Sequence, residues 1–166
     1  MQVGLLSDTH GFLDEAIFTY FDKCDEVWHA GDFGPVEILD RLKAFKPTRG
    51  VFGNIDGKEI RSELPQDLDW QCEGVRVYIT HVGGYPGHYD ARAQRQLDQR
   101  KPHLFICGHS HIARVMRDPK RELLHMNAGA CGRIGWHVTR TVLRFLVDGD
   151  KVGNVELIEL GPRTGK

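Results

Sequence analysis

Residues 107–111 read Cys-Gly-His-Ser-His, which places His109 and His111 two positions apart behind a glycine. In an extended segment, residues i and i+2 point to the same side. Two imidazoles aimed the same way suit the gripping of an ion better than they suit packing. Histidine also serves as an ordinary half-buried residue, so the company these two keep decides the matter. Four other segments supply it: Asp8-Thr9-His10-Gly11, Gly31-Asp32, Gly53-Asn54-Ile55-Asp56, and His81 followed by Gly83-Gly84. Asp, Asn and His together form a ligand set for Mn, Fe, Zn, Ni or Co. The set lacks cysteine, which argues against a structural zinc site.

Asp8, His10, Asp32, Asn54, His81, His109 and His111 make seven ligand residues. One tetrahedral ion needs about four, so seven suit two ions that share a carboxylate. Two divalent ions carry about +4 and the two aspartates about −2, while neutral histidines and Asn54 add nothing. The surplus positive charge fits a hydroxide nucleophile and an anionic substrate. The chemistry that follows is hydrolysis of a phosphate ester.

The elements that must position these residues are legible from hydrophobic spacing. Residues 2–7, 26–30 and 48–52 read as short buried strands. Leu13, Ala16, Ile17, Tyr20 and Phe21 form the stripe of a helix between the first two. Pro35 opens a second helix with Ile38, Leu39, Leu42 and Phe45 on one face. Residues 68–72 and 75–80 read as paired strands around Glu73-Gly74. Residues 90–101 read as a charged helix capped by Asp90 and ended by Pro102. Residues 103–107 form a further buried strand. Hairpin strands follow near 112–117 and 122–126, then at 140–147 and 152–160. The first third is therefore α/β and the last third mostly antiparallel, which two stacked sheets with helices outside accommodate. Each of the five polar segments falls at the C-terminal end of a strand, where open α/β sheets place their ligands.

The bulk numbers set the frame. The 166 residues predict a single domain over 1–166, able to bury a core without disulfides. The net charge of −1, from 22 basic and 23 acidic side chains, disfavours a protein that neutralises a nucleic-acid backbone. Cys24, Cys72, Cys107 and Cys131 form no CxxC pair and are expected as reduced, buried thiols. No apolar run approaches the ~18 residues of a membrane span, and the N-terminus lacks a signal-peptide pattern. A cytoplasmic location without membrane contact is the expectation.

In this order the motifs resemble those of the calcineurin-like metallophosphoesterase superfamily: Asp8-x-His10, Gly31-Asp32, Gly53-Asn54, a single His81, and Gly108-His109-x-His111. The short chain looks like the small bacterial and archaeal phosphodiesterase branch. The resemblance implies a four-layer α/β/β/α sandwich of two mixed sheets with flanking helices. It implies one metal on Asp8, His10, Asp32 and His111. The other would sit on Asp32, Asn54, His81 and His109, with Asp32 bridging. Two divalent ions, manganese first among them, would make a bridging hydroxide attack a small phosphate ester. Asn127-Ala128-Gly129 resembles a family turn that supports the metals.

Many members carry a histidine after the Gly-Asn pair that assists the leaving group; Ile55 stands there instead, while the acidic Asp56 is kept. General acid help is worth about 10²–10⁴-fold, so good leaving groups are expected. Asp56 and His88 are the catalytic expectations, the latter as a replacement donor, and Tyr85 a residue of the same loop. His29, His103, His125 and His137 need no functional role. Arg92, Arg95, Arg100 and Lys101 read as a solvated helix face. The rival functions are a silent protein-interaction scaffold, as the retromer's small subunit of similar fold is, and a nuclease of the same superfamily. A homo-oligomer is compatible with all three.

Overall fold

The computed structural model describes residues 1–164. The chain runs β1 (Gln2–Leu6), α1 (Ala16–Tyr20), β2 (Glu26–His29), α2 (Val36–Phe45), β3 (Thr48–Gly50), α3 (Lys58–Glu63), β4 (Asp67–Cys72) and β5 (Val75–Thr80). It continues with β6 (Gly84–Tyr85), β7 (His88–Tyr89), α4 (Ala91–Arg100), β8 (Leu104–Cys107), β9 (Ala113–Asp118), β10 (Leu123–Ala128), β11 (Thr139–Asp148) and β12 (Lys151–Pro162).

Alternation along the strands builds the layers. In β1, Val3 and Leu5 turn one way and Leu6 the other; in β2, Trp28 opposes Val27; in β8, Leu104 and Ile106 oppose Phe105 and Cys107. Both faces of these strands are apolar, so both must be covered. Two five-stranded sheets result, in the orders β12-β11-β1-β2-β3 and β4-β5-β8-β10-β9. The first has a parallel run β1-β2-β3, ending at the β3 edge, with antiparallel β11 and β12 on its other side; the second has a parallel centre β5-β8-β10 with antiparallel β4 and β9 outside. The inward residues meet in the core between the sheets, where Trp28 packs edge-on against Trp70 and Phe145. Ile17, Phe21, Leu39, Leu42 and Ile60 of the helical side cover the first sheet, and Ala93 and Leu97 of α4 cover the second. The order of layers is α/β/β/α, as the resemblance implies.

The differences from expectation are local. The first helix begins at Ala16 and not at Leu13, because the Asp14 carboxylate accepts from the Ala16 amide at 2.9 Å and is held by Arg140 at 2.6 Å. β3 stops at Gly50, since the Phe52 amide turns away to Pro65 O at 3.0 Å. Helix α3 and the two-residue pair β6–β7 were not anticipated: α3 buries only Ile60, and two-residue strands leave no period to read. All four cysteines are free and buried, and burial pushes the Cys107 thiol up to about 12. Among the described residues no helix is long and apolar enough to cross a membrane.

His125 lies fully buried on β10 beside Phe105 and Tyr89, with both ring nitrogens unpartnered. Burial, aided by Arg114, pushes its pKa down to about 4. The folded state thus excludes a proton that the unfolded chain takes up near pH 6.5. Its contribution is complete above pH 6.5 and is lost as the pH falls towards 4, at about 1.4 kcal/mol per pH unit. Urea unfolding between pH 6.5 and 4.5 should show a shallower stability loss in His125→Leu than in the wild type. Equal slopes would contradict this.

Candidate metal centre

Five strands from the parallel runs of the two sheets, β1, β2, β3, β5 and β8, end at one rim, and each passes its next residues into a loop there. The β1 loop carries Asp8 and His10, the β2 loop Asp32, the β3 loop Asn54, the β5 end His81, and the β8 loop His109 and His111. These loops are unusual in backbone. Among the described residues nine non-glycine positions have positive φ, and five of them are Asp8, His10, Asp32, His109 and His111, with φ between 46° and 67°. Left-handed geometry costs an L residue roughly 1–2 kcal/mol. Five such residues aimed at one point are an observed strain that a functional site explains.

Hydrogen bonds hold the loops in that shape. Asp8 N donates to Gly31 O and His10 N to Asp32 O, both at 3.0 Å, which ties the first loop to the second. Ser7 Oγ and His109 N donate to Asp8 Oδ2 at 2.6 and 3.2 Å. The Asp56 carboxylate accepts from the amides of Asp32 at 3.0 Å, Gly34 at 3.0 Å and Gly53 at 2.7 Å. Its oxygens are thereby occupied, so Asp56, expected among the catalytic residues, has the geometry of a positioning residue. Asn127 Nδ2 donates to Gly108 O at 2.9 Å and Ser110 Oγ at 3.1 Å, which supports the His109–His111 loop as expected.

The seven side chains converge. Asp8, His10 and His111 bring donor atoms within 4.8 Å of one another, and so do Asp32, His81 and His109. His111 Nε2 is 3.2 Å from Asp8 Oδ1, and His10 Nε2 is 3.8 Å from the same oxygen. Asp32 Oδ2 lies 3.5 Å from His10 Nε2 and 3.2 Å from His81 Nε2, between the two groups. His109 Nδ1 is 3.0 Å from Asn54 Oδ1. Donor atoms bonded about 2.0–2.2 Å from one ion stand roughly 3.0–3.6 Å from each other, and most of these separations fall near that range.

Two further observations fit a cation. Asp8 Oδ1 and His81 Nε2 are buried and have no hydrogen-bond partner. Such orphans cost about 1–3 kcal/mol each unless something absent from the protein pairs with them. The His81 Nδ1–H donates to Ala30 O at 2.7 Å, which leaves Nε2 as the free lone pair facing Asp32. Burial by itself would raise the Asp8 pKa, but His10 and then His111 outweigh it and hold the carboxyl well below its ordinary range. Asp32 is lowered against burial too, chiefly by His81 in its protonated form, whose place at Nε2 a cation would take. Two buried carboxylates therefore stay ionised.

A model of the calcineurin-like phosphoesterase superfamily domain matches residues 1–150. The chain belongs to the calcineurin-like phosphoesterase superfamily. This phosphoesterase is 28% identical over 167 residues to a probable metallophosphoesterase of Methanothermobacter thermautotrophicus, covering 97% of this chain and 94% of that one. It is 29% identical over 136 residues to a probable metallophosphoesterase of Methanocaldococcus jannaschii, covering 78% and 68%. Among solved structures, Vps29 of Entamoeba histolytica complexed with Zn²⁺ matches with a TM-score of 0.75 at 13% identity, covering 99% of this chain and 100% of that one. That last likeness is one of fold. Divalent metal chemistry and phosphoester hydrolysis come with the family.

Other residues of the phosphoesterase fall differently from expectation. Arg92, expected on a solvated face, is half-buried, forks onto Asp67 and lines a cavity beside His81. A helix-surface pattern could not show that β4 would bring a carboxylate to it. His88 is exposed on the β6–β7 hairpin, its ring 5.0 Å from that of Tyr85, and neither lines that cavity. Tyr85 packs instead under the Arg114 guanidinium at 3.9 Å. His29, given no role from sequence, braces the site. Its Nδ1 accepts from Gly31 N at 3.0 Å, its Nε2 bonds Thr9 Oγ1 at 3.1 Å, and burial pushes its pKa to about 3, so it stays neutral. His137 donates from Nε2 to Gly132 O at 3.0 Å, and its ring stands 5.2 Å from that of His111. The only sequence signal for either was a histidine without another duty.

Gly53 gives a direct test of this packing. A Cβ there would lie 2.0 Å from Asp32 Oδ1 and 2.3 Å from Asp32 N, so Asp32 would have to move. Gly53→Ala should weaken Mn²⁺ binding, measured by calorimetry, by about tenfold or more. Unchanged affinity in a folded variant would show that Asp32 does not need its present place.

Proposed function

We propose that this phosphoesterase is a two-metal phosphodiesterase acting on a small phosphate ester. The observation that carries the reading is Asp32 Oδ2, 3.5 Å from His10 Nε2 and 3.2 Å from His81 Nε2. One oxygen serves both halves of the cluster. Asp8, His10, Asp32 and His111 would hold one ion, and Asp32, Asn54, His81 and His109 the other. When bound, divalent ions lower the pKa of water and polarise phosphoryl oxygens. Mn²⁺ is the first choice for a set of carboxylate, amide and imidazole donors, ahead of Fe, Zn, Ni or Co; zinc is what the Vps29 neighbour was solved with.

The chain's own residues do the rest. His81, with its Nδ1–H fixed on Ala30 O, keeps its Nε2 lone pair turned towards Asp32. Asp56 positions the Asp32 and Asn54 loops through their amides. A single domain, a cytoplasmic setting and a compact substrate complete the reading. A net charge of −1 speaks against a nucleic-acid substrate.

A scaffold role has one observation in its favour. Ile112, Ile134 and Val138 are 57%, 59% and 82% exposed and Trp136 is 100% exposed. Turnover separates the two readings. With Mn²⁺, the wild type should hydrolyse bis-p-nitrophenyl phosphate. Asp32→Asn should lose about a hundredfold or more of that rate, with less bound metal and an unchanged circular dichroism spectrum. Wild-type turnover in Asp32→Asn would overturn the bridging role, and no metal and no turnover in the wild type would favour the scaffold.

A further inference from the structure

A cavity of about 370 Å³ opens beside Asn54 and His81, with Arg61 and Arg92 on its walls. The two guanidiniums are not equivalent. Arg92 is committed to Asp67: its Nη1 lies 3.1 Å from Oδ1 and 3.4 Å from Thr80 Oγ1, and the Tyr78 hydroxyl donates to the same carboxylate at 2.8 Å. Arg61 has no carboxylate within ion-pair distance among the described residues. It is exposed, yet its position is fixed. Nε donates to Asp56 O at 2.6 Å and Nη2 to Gly53 O at 3.2 Å, while its face lies 4.2 Å over the Phe52 ring. The segment that presents Asn54 thus also holds an unneutralised cation at the cavity wall.

The same cavity offers no free proton donor. The Asp90 carboxylate accepts from the Arg92 and Ala93 amides as the cap of α4. His81 has one nitrogen on Ala30 O and the other facing Asp32. The remaining polar lining, Asn54, Gln66 and Thr80, does not ionise near neutral pH. Ile55, beside Asn54 and 46% exposed, has no proton to give. A leaving group that departed here would do so as an anion against a fixed positive charge.

We infer that Arg61 receives an anionic leaving group and that the substrates are phosphoanhydrides, with the departing phosphate in this cavity. The inference rests on the two-metal phosphodiesterase reading and carries it from esters to anhydrides. Water's oxygen bonds to the attacked phosphorus and the bond from phosphorus to the bridging oxygen breaks. The electron pair leaves on that oxygen, which departs as orthophosphate, and the water's protons pass to the two phosphate products and the solvent. No protonated side chain is required. The planar fork of a guanidinium matches phosphate oxygens two at a time.

The test uses the full chain loaded with Mn²⁺, with ADP as the anhydride and bis-p-nitrophenyl phosphate as the comparator whose leaving group carries no phosphate. The ratio of kcat/KM for ADP to that for the comparator should fall about tenfold or more in Arg61→Met, and Arg61→Lys should recover part of it. Inorganic phosphate binding to the metal-free chain, followed by ³¹P NMR, should weaken by about tenfold in Arg61→Met. An unchanged ratio, or a wild type that cleaves the comparator but not ADP, would overturn the inference and leave the phosphodiesterase reading standing. A wild type that cleaves neither overturns both. Arg61→Lys and the phosphate titration keep the test decisive should Arg61→Met prove unstable.

Discussion

Asp8 and Asp32 stand within one cluster, 0% and 2% exposed, and both remain ionised. Burying two like charges together is costly unless positive charge meets them. Among the described residues the cationic groups within ion-pair distance are imidazoles, of His10, His81 and His111 at 3.2 to 4.0 Å. The orphaned Asp8 Oδ1 and His81 Nε2 mark where that internal pairing falls short. Much of the rim follows from this constraint: the strained left-handed residues, the glycines without room for a side chain, and the buried histidine and aspartate that brace the loops.

The fold exists to bring those loops together. The ligand-bearing loops follow three parallel strands of one sheet and two of the other at the same rim, and the interface between the sheets locks their relative height. The link is made at named points: His81 Nδ1 to Ala30 O at 2.7 Å, His109 N to Asp8 Oδ2 at 3.2 Å, and Cys131 N to Ser7 O at 3.1 Å. The first two join loops of different sheets. Displacement of one sheet against the other would therefore pull the two halves of the cluster apart, which couples packing of the Trp28 core to chemistry at the rim.

Much of this was readable in the chain. Unbroken apolar runs in 3–6 and 104–107 state that both faces of those strands are covered, and the polar residues after them state which end faces the ligand. What escaped was the part that depends on distant partners. Nothing near Arg92 announces Asp67, and nothing near Arg61 announces that its fork will rest on the carbonyls of Gly53 and Asp56. Asp56 reads as catalytic from its visible position in the motif, while the three amides that occupy its oxygens have no signature there. His29 looked idle because a histidine bonded to a threonine across a loop has no local signature. Short elements escaped for a plainer reason: α3 and the β6–β7 pair contain too few residues for a period to emerge.

The central claim is that this rim holds two cations through one shared aspartate. Crystals of the protein soaked in Mn²⁺ and measured for anomalous scattering test it most directly. The account predicts two peaks about 3.5–4 Å apart. One should lie among Asp8, His10 and His111, the other among Asn54, His81 and His109, with Asp32 between them. A rim without anomalous density, or with a single ion that Asp32 does not touch, would contradict it.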